Sequence, residues 1–461
     1  MRRFAFILGL LWGAHAGAAD VSFQREVWPI FKSHCIGCHS AQKTKGQLRL
    51  DDVASLLKGG KTGPLFVAGR PEDSLLIDQI TGDEPEMPQK EAPLSRAKVK
   101  LLHDWVAQGA KIDGPPKSDV PAVVIPKVYA TAPAVSSVTI SPDGERAAAA
   151  CRSEVALFGV DDDSAPNRLA TDFDLITHVE ISPDGRLLAA SGGSPQQFGG
   201  IIFFDAADGK RQSVRRLGSD TFFSGNFSPD GQTLALGGPN GAIYLIPVEG
   251  KGPVKTIELH SDWVTAVAYT PDGKQLVSGS RDKTTKISSV ESLSLMRSVD
   301  QSTDMINAVA ADGLTAMSGG NARALLGYDF KLALAGVQVT GSGNGARPVS
   351  NRDQFVRTYE AQPDMVMALA TSGDRKLLAV ATRAPEIHIY LTENRLRKIT
   401  IPNVPAPVLS VALNYDGSRL ILGSKTGVVQ VWDTTSGKLI KSLTPVPVRE
   451  AGVAEKSVAP E

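Results

Sequence analysis

From about Ala134 to Leu443 apolar and polar positions alternate in short runs, and each run is stopped by the same kind of turn. Val138-Thr139-Ile140 leads into Ser141-Pro142-Asp143-Gly144, while Leu187-Leu188-Ala189-Ala190 follows Ser182-Pro183-Asp184-Gly185. A period of two predicts strands with one face buried, and Pro and Gly supply the dihedrals of tight turns. The tetrapeptide recurs at Ser228-Pro229-Asp230-Gly231 and Thr270-Pro271-Asp272-Gly273. Weaker copies stand at Ala311-Asp312-Gly313, Ser372-Gly373-Asp374 and Tyr415-Asp416-Gly417. The spacing of about 40 to 46 residues is that of one four-stranded propeller blade, except for a step of about 60 before the sixth copy. There a Gly-rich insertion near residues 331–352 pushes an outer strand, Val356-Arg357-Thr358-Tyr359-Glu360, downstream. Seven copies predict seven blades; a β-solenoid and an eight-bladed ring are the competing architectures.

Ahead of the repeats the pattern changes. Leu102, Trp105 and Val106 form an apolar stripe on a helix running from Arg96 to Gln108, capped by Ser95 and closed by Gly109. The first residues read differently again: Met1-Arg2-Arg3, an apolar run from Phe4 to Trp12, then small residues from Ala14 to Ala19. That is the layout of a secretory signal peptide, and the apolar run is too short to span a bilayer. Five segments follow: signal peptide 1–19, a helical domain 20–112, a Pro-rich linker 113–133, the repeats 134–443 and a disordered tail 444–461.

Composition narrows the function classes. A chain of 461 residues has room for two or three domains. Lys plus Arg equals Asp plus Glu at 49 each, so no global field recruits nucleic acid or an anionic membrane. No later apolar run is long enough for an integral membrane span, and the expected location is periplasmic or otherwise exported. Only three Cys occur, too few and too clustered for a disulfide framework.

Two of those Cys lie in Phe31-Lys32-Ser33-His34-Cys35-Ile36-Gly37-Cys38-His39. In C-x-x-C-H the thiols share one face of a helical turn, able to form thioethers with two neighbouring vinyl groups, and the next residue brings an imidazole under the ring. The expected cofactor is one covalent haem c, held by Cys35 and Cys38 with His39 as an iron ligand. A zinc site would need a second ligand pair, and a thioredoxin-like dithiol would want a βαβ context. For the sixth ligand, Met87 is the only Met between signal and repeats, in the proline-bounded loop Glu84-Pro85-Glu86-Met87-Pro88. His103 is the rival, although its helix position favours the surface, and His34 adjoins Cys35 too closely to reach the opposite haem face. Lys32, Lys43, Lys45, Lys58 and Lys61 surround the motif; a basic rim could steer an acidic partner, but ordinary solvation explains them better.

Two resemblances extend this reading. The repeats resemble WD repeats, best in the last copy, Gly423 through Val431-Trp432-Asp433. In the fourth copy His260 and Asp282 match that family's polar residues, whereas Ser288 and Ser289 replace Trp-Asp. The segment from about Trp28 to Ala110 resembles the planctomycete-type cytochrome c domain. The residues that carry it are Pro29-Ile30-Phe31, Gln47-Leu48-Arg49-Leu50-Asp51, Leu57 through Pro64, Gly69-Arg70-Pro71-Glu72-Asp73-Ser74, Met87-Pro88 and Leu94-Ser95 through Ala110. The resemblance implies haem attachment at Cys35 and Cys38 with His39 and Met87 as axial ligands. The fold expected is multidomain: a small all-α cytochrome c domain, then an all-β seven-bladed WD-repeat-like propeller.

The function expected is an exported c-type cytochrome that passes electrons to redox partner proteins, with the propeller as a docking platform. A haem-dependent oxidoreductase with a substrate or second cofactor on the propeller is the alternative, for which the repeats offer His178, His260 and His388. A redox or gas sensor switched by release of Met87 is a third reading.

Overall fold

A computed structural model of the chain describes residues 21–40, 43–50, 53–89, 92–112, 125–250, 252–300, 302–334 and 356–449. The signal segment, most of the linker, most of the Gly-rich insertion and the end beyond residue 449 lie outside the described residues. The chain divides between residues 121 and 122 into two compact units.

The first unit is built from α1 (Trp28–His34), α2 (Val53–Lys58), α3 (Leu75–Ile80) and α4 (Arg96–Ala107). Pro29 sits in the first turn of α1, where its missing N–H costs nothing. Ser95 caps α4 by accepting from the Lys98 N–H, and Gly109 ends it at φ +95°. The predicted stripe is the core: Leu102, Trp105 and Val106 are fully buried. Phe23, Phe31 and Phe66 surround the Trp105 ring at centroid distances of 5.5, 6.2 and 5.0 Å, and its Nε1 donates to the Lys111 carbonyl. One feature departs from the all-helical expectation: a ribbon of β1 (His39–Ser40) and β2 (Lys43–Thr44). Two residues a strand leave no alternation to read in the sequence.

The second unit is a seven-bladed β-propeller, each blade an antiparallel sheet of four consecutive strands. The innermost strands of blades 1 to 7 are Val135–Ile140, Leu175–Ile181, Ser224–Phe227, Val264–Tyr269, Ile306–Ala311, Val366–Thr371 and Val408–Leu413. The turn tetrapeptide works through its side chains. Ser228 Oγ donates to Asp230 Oδ1 at 2.6 Å and accepts from the Thr233 N–H, while Asp230 also accepts from the Gln232 N–H. Gly231 closes the turn at φ +70°. In blade 5, Val356–Thr358 is the fourth strand, as the spacing requires, and a helical turn, α5 (Phe330–Ala333), opens the insertion.

Each blade's innermost strand has a free edge, and side chains from the preceding blade cover much of it. Ser137 and Thr139 accept from the Val179 and Ile181 N–H groups, Glu180 from Phe227, Asn226 from Tyr269 and Ser410 from Val138. Ring closure shares no blade between the start and the end of the propeller. The ends instead pair outside the sheets: the Tyr129 N–H donates to Pro447 O and the Arg449 N–H to Tyr129 O, both at 2.8 Å. Val446 is 3% exposed and packs with Tyr129 against residues of blades 1 and 7. These pairs join described residues of the expected linker (113–133) and of the expected tail (444–461), and single residues in a parallel bridge carry no periodicity that a sequence could show.

Candidate functional site

In the first unit the C-x-x-C-H residues follow α1 as a helical turn: the Cys35 N–H donates to Phe31 O, Cys38 to Cys35 O and His39 to Cys35 O. This puts Cys35 and Cys38 on one turn, neither in a disulfide and both partly exposed. The loop after His39 folds back on the motif. The Lys45 N–H donates to Cys38 O, Leu50 to His39 O, and Lys61 to Gly46 O. One contact has chemical consequence: His39 Nδ1 lies 3.0 Å from the Lys45 carbonyl oxygen. A carbonyl can only accept, so Nδ1 carries the ring proton and Nε2 keeps its lone pair for a metal.

Met87 is held on another side of the same space. Its N–H donates to Gln79 O at the end of α3, and its side chain packs partly buried against the unit's core. Cys35, Cys38, His39 and Met87 all line one cavity of about 280 Å³, whose walls include Leu48, Leu50, Leu65, Leu76, Ile80 and Leu94. Gly60 and Gly63 form part of the wall, and Gly59 beside them stands at φ +79° with Gly63 O only 2.3 Å from where a Cβ would be. A small concave site with apolar walls and few convergent donors is suited to an organic cofactor. Two thiols, one imidazole with a free Nε2 and one thioether are the donor set a covalent haem takes. The residues fit the group.

The rival ligands fall elsewhere. The His103 side chain is 52% exposed on α4, its Nδ1 3.7 Å from Asp104, and it does not line the cavity. His34 lines the cavity, but its Nε2 accepts from Lys98 Nζ at 2.8 Å, which ties it to α4. Cys151 is fully buried in blade 1, where burial and then the Glu154 carboxylate push its thiol up to about 12. It packs rather than reacts.

The propeller histidines are dispersed. His260 is clamped between Asp282 (Nδ1 to Oδ2, 2.9 Å) and the Ser278 hydroxyl (Nε2 to Oγ, 2.8 Å), and Ser288 is buried in the same blade. His388 contacts Tyr390 and Glu386, and His178 faces the central channel. Among the described residues no three His, Cys, Asp or Glu side chains are grouped as metal ligands, and no helix is long and apolar enough to cross a membrane. The partner that orients His39 escaped the sequence reading, because it is a backbone carbonyl and any residue at position 45 would supply it.

A family model described as Planctomycete cytochrome C matches residues 35–91, from the first haem-motif thiol to just past Met87. A model described as WD domain, G-beta repeat matches residues 251–287 and 398–433, the stretches that hold the His260–Asp282 pair and Trp432-Asp433. No curated protein matches the chain.

Proposed function

We propose that this chain, in which a planctomycete-type cytochrome c domain is joined to a seven-bladed propeller of WD repeats, is an exported electron carrier with one covalent haem. The observation that carries this reading is the convergence of Cys35, Cys38, His39 and Met87 on one apolar cavity, with His39 Nδ1 tied to a carbonyl. A haem bound there supplies one-electron redox chemistry. The chain's own residues do the rest. Cys35 and Cys38 would anchor it, His39 would present Nε2, Met87 would offer a soft sulfur, and the leucines and Ile80 would keep water from the cavity. The signal-like N-terminus supports export, since c-type attachment takes place outside the bacterial cytoplasm.

In this reading the propeller docks a partner protein. Trp263 supports it: 38% exposed, stacked on Phe223 at 4.7 Å and lying under the Arg281 guanidinium at 4.9 Å, it is an aromatic and Arg cluster of the kind that anchors interfaces. The test of the haem assignment is Cys35→Ala with Cys38→Ala in the full chain, read by peroxidase staining of denaturing gels. The wild-type band should stain and the double variant should not, with the strand signal in circular dichroism unchanged. A stained double variant refutes the attachment sites.

A further inference from the structure

The channel through the propeller is not uniform around its wall. A cavity of about 650 Å³ runs along the innermost strands of all the blades. In blades 1 to 3, Ser137 and Thr139, Glu180, and Ser224 and Asn226 accept the edge N–H groups of the next blade. At the same register in blades 4 to 6 stand Ala266 and Ala268, Ala308 and Ala310, and Ala368 and Ala370. Alanine accepts nothing. Among the described residues the edge N–H groups opposite these alanines, including Leu369 and Thr371 on blade 6 and Val411 and Leu413 on blade 7, meet no side-chain acceptor. All four residues line the channel, and an edge N–H without a protein acceptor can donate to a group bound there.

Arg375 faces the same part of the channel. It occupies the turn position filled in the other blades by Gly144, Gly185, Gly231, Gly273, Gly313 and Gly417, and it keeps their left-handed backbone, φ +63°. A residue with a Cβ is strained there, and strain of this kind gathers at functional sites. Its Nη1 donates to Ala311 O and to Thr371 Oγ1, at 3.3 and 2.7 Å. Among the described residues its Nη2 and Nε donate to nothing. Burial works against its charge, holding its pKa below the usual range, and the nearby carboxylates do not bond it. Glu180 is occupied by Asn226 and Phe227, and Asp312 by its own turn.

We propose that the channel between blades 5 and 7 binds a small oxyanion, a carboxylate or a phosphate, through the Arg375 fork and the uncapped N–H groups of the neighbouring inner strands. Planar guanidinium and successive backbone N–H groups are complementary to an anion with two or three oxygens. The site is independent of the haem cavity, and its failure would leave that assignment untouched.

The experiment is calorimetric titration of the full-length protein with malonate and, separately, with inorganic phosphate, against chloride at matched ionic strength. Saturable binding of one or both is expected, and the arm that binds identifies the oxyanion. Arg375→Gly installs the residue of the other six turns, so it should fold with an unchanged or higher unfolding temperature and bind at least tenfold more weakly. Ala370→Thr, which supplies the hydroxyl that Thr139 provides in blade 1, should cap Leu413 and weaken binding while leaving Arg375 in place. Absence of saturable binding by either anion overturns the proposal. So does equal binding by Arg375→Gly.

Discussion

Glu154 is fully buried in blade 1 and holds the latch that joins the propeller's two ends. Its carboxylate accepts from the Tyr129 hydroxyl at 2.7 Å and from Arg168 Nε and Nη2 at 2.7 and 2.8 Å. Arg168 in turn donates to the carbonyls of Pro126 and Lys127, so one guanidinium fastens the incoming chain to the blade. Glu154→Gln keeps the volume but removes the charge. Breaking a buried ion pair costs about 3–5 kcal/mol, and because the Arg168 side chain is 22% exposed and can turn to water, the lower end, about 3 kcal/mol, applies. With an unfolding entropy of about 2.1 cal/mol/K per residue, a unit of roughly 320 residues loses ~0.7 kcal/mol of stability per degree near its midpoint. The expected shift is then a lowering of Tm by about 4 °C. Arg168→Met leaves the carboxylate buried with one hydroxyl and should cost more, and the double variant should cost less than the two singles added. Circular dichroism melts measure all three, and hydrogen exchange at the Tyr129 and Arg449 amides reports the latch itself. If each single variant melts within 1 °C of wild type, or the effects simply add, the network does not secure the ring.

If Met87 is the sixth ligand, its soft thioether favours ferrous iron, so Met87→His should lower the reduction potential while keeping a low-spin spectrum, and Met87→Ala should admit carbon monoxide. Potentiometry checks both, and an unmoved potential in both variants removes Met87 from the iron. In blade 4, burial lowers the pKa of His260, so the unfolded chain takes up a proton that the folded one resists as pH falls through about 6.5. The stability contributed there is therefore present above that pH and lost below it. Denaturant melts between pH 7 and 5 should show a shallower decline in His260→Gln than in wild type, and parallel profiles would contradict the assignment. Burial alone would raise the pKa of Asp282, but hydrogen bonds from His260 and Thr284 outweigh it and hold the group well below the carboxylate range. Its stabilisation is present above the unfolded value of about 3.9 and lost as pH falls below it, so in denaturant melts carried from pH 5 down to about 2 Asp282→Asn should decline less steeply than wild type.

The parts of the fold legible in the sequence are those with local periodicity. The turn at Ser228-Pro229-Asp230-Gly231 carries its own hydrogen-bonding partners within five residues, so its recurrence counted the blades correctly. Trp105 and its stripe were legible because helical spacing places them on one buried face. The latch was not, because Tyr129 and Pro447 meet across the whole propeller and each contributes a single residue. The cavity divides in the same way. Cys35, Cys38 and His39 announce themselves by spacing and Met87 by its isolation, whereas the carbonyl of Lys45 and the leucine walls come together only through the fold. The alternation of hydroxyl and alanine around the channel was visible as letters, but its meaning required knowing which strand edge each side chain faces.

The measurement that bears most directly on the central claim is the absorption spectrum of the full-length protein, exported and purified, oxidised and dithionite-reduced, before and after acidic acetone extraction. Expected is a low-spin c-type spectrum that stays with the polypeptide through extraction, one haem per chain, and a weak near-infrared sulfur-to-iron band in the oxidised form. Haem that extracts into the acetone, or a protein exported intact without a Soret band, would contradict that claim.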